Sequence, residues 1–145
     1  MLDREATHKL RMLLIKHEGI RLKPYRCTAG KLTIGVGRNL EDMGISQFEA
    51  MVMLSTDLER IHKEAVEFPW FKSLSMTRQD VVLSMLFNLG LPAFNQFQRF
   101  ILALIDGRFD AAADEMLNSR WASQVGARAV ELAYMMRTGT YPIDV

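Results

Sequence analysis

The sequence predicts an α+β, mainly α fold with one small antiparallel sheet. Apolar residues recur at helical spacing along most of the chain, while β-type residues between turn signals are confined to one stretch, about 21–40. The chain has 145 residues, 49% hydrophobic and 24% charged, as expected of one ordinary globular domain able to bury a real core.

From about Asp3 to Glu18, Leu10, Leu13 and Leu14, with Met12 and Ile15, mark a first helix, and Gly19 offers its stop. Between Arg21 and Leu40 the texture changes. Pro24, Gly30, Gly35 and Gly37 punctuate short runs, and Leu32-Thr33-Ile34-Gly35-Val36 reads as strand. Ser46-Gln47-Phe48-Glu49 is a capping box, because the hydroxyl and the carboxylate can each take an orphan N–H; a long helix should follow from about Phe48 to Val66.

Thr77-Arg78-Gln79-Asp80 starts the next helix, apolar on most faces through Val81, Val82, Met85 and Leu86, and so expected at the centre of the larger part of the fold; Gly90-Leu91-Pro92 should end it. Asn95 can cap a helix through Ile101, Leu102 and Ile105 that Gly107 ends. Phe109 to Leu117 is a further short amphipathic stretch, and a last helix runs from about Ala127 to Met136. The ten methionines read as core filler.

A formal net charge of +1 argues against a chain-wide basic footprint for nucleic acid. Arg78, Arg99, Arg108, Arg120, Arg128 and Arg137 recur along the C-terminal half and read as solvated helix faces, or as a face suited to a polyanion. Cys27 is the only cysteine, so no internal disulfide is expected, which fits cytosolic synthesis. The charged N-terminus is expected to be neither a signal peptide nor a membrane span. His8, His17 and His62 lack metal-ligand grouping, and Gly35-Val36-Gly37 is too short for a nucleotide loop, so neither a metal nor a cofactor is expected.

Glu18 is the first candidate for chemistry. A carboxylate in the last turn of a helix meets the negative end of the dipole, and partial burial under the sheet would act in the same direction, toward a protonated acid near neutral pH. Cys27 alone reads as a small buried hydrophobe, with a reference thiol pKa of about 8.5 that leaves it mostly protonated. Thr33 alone reads as a β-branched strand residue.

Together these residues carry a resemblance. The segment from Glu18 to Gly37 resembles the active-site segment of the T4-type phage lysozymes, whose pattern is Glu, eight residues, Asp or Cys, five residues, Thr. Phe87-Asn88-Leu89-Gly90, Ser119-Arg120-Trp121 and Arg137-Thr138-Gly139-Thr140-Tyr141 resemble blocks of that family's C-terminal part, in the expected order. The similarity is weakest between Leu40 and Leu74, and the stretch from Arg38 to Ser46 looks shorter than in the T4 enzyme.

The resemblance implies a two-lobed lysozyme-like fold with a cleft and a long connecting helix. A single domain over 1–145 is expected, with a small lobe at about 18–50 and a large lobe at about 70–145 plus the N-terminal helix. It implies a muramidase, an endolysin that hydrolyses the β-1,4 bond between N-acetylmuramic acid and N-acetylglucosamine in peptidoglycan during host lysis. Glu18 is then the general acid, Cys27 the second catalytic group and Thr33 its helper; Phe87, Asn88 and Gln124 line the sugar cleft, and Arg128 pairs with the catalytic glutamate.

Cys27 departs from the commoner Asp and leaves three outcomes. A thiolate can activate water with inversion, a thiolate can attack the sugar with retention, or the replacement impairs the protein. The alternative function is accordingly a lysozyme-fold wall-binding or virion-associated module without turnover; a transglycosylase is a nearer rival. The expected partner is peptidoglycan, with no nucleic acid and no membrane insertion. A monomer is expected, made in the host cytoplasm and reaching the wall through a membrane lesion opened by a holin.

Overall fold

The computed structural model describes residues 4–144, with Ala6 described by its backbone alone. It is mainly helical with one three-stranded antiparallel sheet, as the sequence predicts. The chain divides into two compact units, residues 1–52 and 53–145.

In the first unit, α1 (Arg4–Glu18) ends where Gly19, at φ +76°, donates its N–H to the Ile15 carbonyl at 2.8 Å. This is the stop expected of glycine after a last helical turn. The sheet follows with β1 (Arg21–Arg26), β2 (Leu32–Gly35) and β3 (Arg38–Asn39), and β2 lies in the middle. Tyr25 pairs with Thr33 and Arg26 with Leu32, while Thr33 also pairs with Asn39 across the second ladder. Pro24 is tolerated because β1 is an edge strand whose register shifts between Arg21 and Tyr25.

Asn39 caps the short α2 (Leu40–Met43), its Oδ1 accepting from the Asp42 N–H at 3.1 Å. The 19-residue α3 (Gln47–Ala65) contributes its first turns to this unit and the remainder to the second. Its expected capping box forms: the Glu49 N–H donates to Ser46 Oγ at 3.1 Å, and the Ser46 N–H donates to Glu49 at 2.9 Å. Glu49 also takes a two-pronged bond from Arg38 at 3.0 and 2.9 Å, which ties the end of the sheet to the start of the helix.

In the second unit, a single 3-10 turn, Phe71–Ser73, leads into α4 (Met76–Leu89). The helix starts at Met76, one residue before the expected Thr77, because Ser75 caps it, its Oγ accepting from Arg78 N–H. Val81, Val82, Met85 and Leu86 are buried, so α4 is the central core helix its composition predicts. It packs on α5 (Leu91–Phe94) and on α9 (Ala127–Thr138), and α9 also packs on α7 (Phe109–Leu117) and α8 (Arg120–Val125), while α6 (Gln98–Ile105) packs on α7.

Two expectations are corrected here. The stop expected at Gly90-Leu91-Pro92 holds, since α4 ends at Leu89 with Gly90 as its cap, but a short helix not expected there, α5, begins at once, with Pro92 in its first turn where the missing N–H costs no bond. Asn95 therefore follows α5 as its C-terminal residue, and α6 starts three residues later with Phe97 before it and no side-chain cap. The methionines are not uniformly core. Met85, Met116, Met135 and Met136 are buried, whereas Met76 is 80% exposed. Phe71, Phe94, Phe100 and Trp121 supply the bulk of this core, joined by edge-on contacts such as Phe94 on Phe100 at 6.2 Å.

The C-terminal block is a clasp. Gly139 closes α9 in the left-handed conformation at φ +73°, and Arg78 reaches from α4 to donate to the carbonyls of Met136 at 2.8 Å and Arg137 at 3.1 Å. The guanidinium meets the negative end of α9 while lying 3.8 Å from the Phe109 ring centroid. Tyr141 then donates its hydroxyl proton to Asp80, which pushes the Tyr141 phenol up to about 12. Among the described residues, no helix is long and apolar enough to cross a membrane.

Candidate active site

Glu18, Cys27 and Thr33 all belong to the first unit; Phe87, Asn88, Gln124 and Arg128 belong to the second. Glu18 is the last residue of α1, and its carboxylate rests against Gly37: a β-carbon at that glycine would stand 2.8 Å from Oε2. The sheet does not bury it, because the Glu18 side chain is exposed within its own unit.

Cys27 begins the turn between β1 and β2. Its N–H donates to the Lys31 carbonyl at 3.0 Å, and its carbonyl accepts from Gly30 N–H at 2.8 Å, with Gly30 at φ +77°. Hydrogen bonding from the backbone N–H groups of Lys31 and Ala29, with a smaller part from the Thr33 hydroxyl, favours the charged form of the thiol. These hydrogen bonds, that of Lys31 foremost, hold the Cys27 thiol below its ordinary range. Cys27 is half-buried, not the fully buried hydrophobe that a lone cysteine suggests.

Thr33 is the buried polar residue of this unit, 3% exposed, and its hydroxyl donates to the Lys31 carbonyl at 2.8 Å. One proton cannot serve two acceptors. While Thr33 donates to Lys31 it presents a lone pair to an S–H; rotated, it donates to a thiolate. The motif spacing thus brings both residues to one carbonyl, since the Cys27 N–H and the Thr33 hydroxyl both donate to Lys31.

A clip missed in the sequence reading surrounds this turn. Glu41 Oε1 accepts from Arg26 Nη1 at 2.6 Å and from the Leu32 N–H at 2.9 Å, and Arg26 Nη1 also donates to the Gly30 carbonyl at 3.0 Å. The Leu32 N–H and then Arg26 hold the Glu41 carboxyl below the usual carboxylate range. The position of Glu41 on a one-turn helix has no periodic signal, so sequence alone gave no sign of it.

In the second unit, Phe87 and Arg128 line one hollow of about 780 Å³ together with Leu58, His62, Leu83 and Ser84. Arg128 Nη2 donates to the Ser84 carbonyl at 3.3 Å and to Ser84 Oγ at 3.2 Å. Gln124 lines a different hollow of about 540 Å³, beside Phe97, Arg99, Glu115 and Trp121. Asn88 is exposed, and its Oδ1 accepts from the indole N–H of buried Trp121 at 2.7 Å. The expected sugar-lining residues are therefore divided between two hollows and one structural hydrogen bond. Among the described residues, no three His, Cys, Asp or Glu side chains are grouped so as to hold a metal ion.

Comparison with known proteins bears on the same segments. An endolysin of Acyrthosiphon pisum secondary endosymbiont phage 1 is 29% identical over 124 residues, covering 81% of either chain. A SAR-endolysin of Escherichia phage Mu is 28% identical over 132 residues, 85% of this chain and 76% of that protein. The pre-baseplate central spike protein Gp5 of Enterobacteria phage T4 is 24% identical over a region covering 99% of this chain but 30% of its own length. The sequence-family model described as phage lysozyme matches residues 15–135, a span holding Glu18, Cys27, Thr33 and the core of the second unit up to Met135, and the chain belongs to the phage lysozyme family.

Proposed function

We propose that this protein is a muramidase that hydrolyses the β-1,4 bond between N-acetylmuramic acid and N-acetylglucosamine in peptidoglycan, with Glu18 as acid and Cys27 as base. The observation that carries the reading is the seat of Cys27. Cys27 opens a tight turn closed by Gly30, shares the Lys31 carbonyl with the Thr33 hydroxyl, and has its thiol held below the ordinary range by backbone N–H groups, which favours a thiolate. A cysteine kept only for packing has no need of such donors.

In this reading Glu18 gives its proton to the bridging oxygen as the glycosidic bond breaks. The Cys27 thiolate takes a proton from a water that attacks the anomeric carbon on the opposite face, with inversion. Thr33 orients that water, or the thiolate itself, by turning its hydroxyl away from the Lys31 carbonyl. After the step Glu18 is ionised and Cys27 protonated, and a proton returns between them through solvent. Phe87, Asn88 and Gln124 are the glycan contacts in this reading.

The biological role that fits is host lysis by a monomeric endolysin, made in the cytoplasm and admitted to the wall through a holin lesion. The likeness to the T4 spike protein favours a second setting, in which such a domain works or merely binds within a virion.

The test is turbidity loss of purified Gram-negative peptidoglycan with wild type, Glu18→Gln and Cys27→Ser, each checked for folding by circular dichroism. Clearing by wild type that both folded variants lose supports the reading. Binding without clearing by the folded wild type leaves a wall-binding module. Inverted anomers at the new ends support Cys27 as base, retained anomers make it the nucleophile, and fragments lighter by one water make the protein a transglycosylase.

A further inference from the structure

Glu41 lies outside every motif that identified the site, yet it governs the turn that Cys27 begins. One oxygen of its carboxylate receives both Arg26 Nη1 at 2.6 Å and the Leu32 N–H at 2.9 Å. Those two donors stand on opposite strands of the hairpin, directly before and after residues 27–31. Arg26 extends the clip to the Gly30 carbonyl at 3.0 Å, the residue that closes the turn. The base of the hairpin and its tip are thus tied to one carboxylate held on α2.

The exposure of the pair argues that its use is not stability. The Arg26 side chain is 66% exposed and that of Glu41 37%, and ion pairs so placed add little to the folding free energy. What they can do is narrow the range of shapes a short turn adopts. The shape matters because Cys27 opens the turn, with its N–H bonded to the Lys31 carbonyl and its carbonyl to the Gly30 N–H, so a change in the turn changes the seat of its thiol.

We propose that Glu41 is a positioning residue for Cys27, its carboxylate acting as the acceptor that ties Arg26 and Leu32 together and so holds the 27–31 turn in the shape that seats the thiol. The idea deepens the muramidase reading and rests on it for its biological meaning, but its test needs no turnover. The charged groups around the turn are Arg26, paired with Glu41, and Lys31, paired with Asp42 at 3.4 Å.

Simple electrostatics and positioning predict opposite signs. Removing a carboxylate near a thiol removes a like charge and favours the thiolate, so by charge alone Glu41→Ala lowers the thiol midpoint. Loss of the clip turns the N–H groups away and raises it.

Cys27 is the only cysteine, so alkylation of the folded full chain by iodoacetamide, followed against pH, reports this one thiol. Glu41→Ala is expected to raise the midpoint by about half a unit or more. Glu41→Gln keeps a carbonyl acceptor for Leu32 and is expected to stay at or below the wild-type midpoint. Amide exchange should speed up at Leu32 in Glu41→Ala while the Thr33 amide stays protected, showing that the turn loosens without the sheet unfolding.

A midpoint that is unchanged or lowered in Glu41→Ala overturns the proposal, as does a rise in Glu41→Gln equal to that in Glu41→Ala. If the peptidoglycan assay shows no clearing while the thiol responds as expected, the muramidase reading falls and the positioning stands. If clearing needs Cys27 but the thiol ignores Glu41, only the positioning falls.

Discussion

The carboxylate of Glu18 lies so close to Gly37 that a β-carbon there would stand 2.8 Å from Oε2, 3.0 Å from Cδ and 3.2 Å from Cγ. Gly37 also has φ +65°, so two separate costs attach to replacing it. Gly35 offers a matched control, because it has φ +70° but open space where its β-carbon would go. Each Gly→Ala change should cost roughly 1–2 kcal/mol in denaturant titrations from the left-handed backbone alone. Only Gly37→Ala should also displace the acid, and a displacement near 1 Å is expected to lower wall clearing by roughly 100-fold in the folded protein. Equal activity losses in the two variants would remove Gly37 from any role in seating Glu18.

Cys27 predicts the acid limb of the pH profile. Its thiol is held below the ordinary range by the Lys31 and Ala29 N–H groups, and the active form of a base is the deprotonated one. Activity should therefore rise with pH through a midpoint below that of a free thiol, and fall away beneath it. Cys27→Asp replaces the group with one whose reference pKa is about 3.9, so the acid limb should move down by several units while clearing persists. An acid limb that ignores this substitution would assign the midpoint to another group.

How much of this was legible in the sequence depends on what kind of contact each residue makes. The helix ending at Glu18, the capping box of Ser46 and Glu49 and the buried face of α4 were readable, because spacing along one element determines them. The meeting of Cys27 and Thr33 at the Lys31 carbonyl was foreshadowed only by motif spacing, and its cause, a tight turn closed by Gly30, needed the structure. Gly37 beneath Glu18 and Glu41 across the hairpin lay beyond reach, since each joins elements 15 or more residues apart with no local pattern. Asn95 misled because a residue type that can open a helix can equally follow one, and here it closes α5.

Glu49 links the first unit to acid stability. Arg38 first, and then the Ser46 N–H, lower its carboxyl to about 2. The sign follows from that depression: the contribution is present above the unfolded carboxylate range and is lost as pH falls through about 2, below which both states are protonated. Thermal melts should show Glu49→Gln less stable than wild type at neutral pH, with the gap closing progressively between about pH 4.5 and 2. A gap independent of pH would mean that the amide disturbs packing and that the Arg38 pair is not its source.

Asn88 joins a structural bond to a proposed sugar contact, and substitutions can separate the two. Its Oδ1 is the acceptor of the Trp121 indole N–H, and Trp121 is 3% exposed. Asn88→Ala leaves that N–H unpaired against the core, at a cost of about 1–3 kcal/mol in urea unfolding. Asn88→Asp keeps an acceptor oxygen and should restore most of the stability. If Asn88 also donates its amide hydrogens to the glycan, the aspartate variant stays folded yet clears peptidoglycan poorly, because a carboxylate has nothing to donate. Full clearing by Asn88→Asp would confine Asn88 to holding Trp121, and the sugar-binding assignment would pass to the side chains around it.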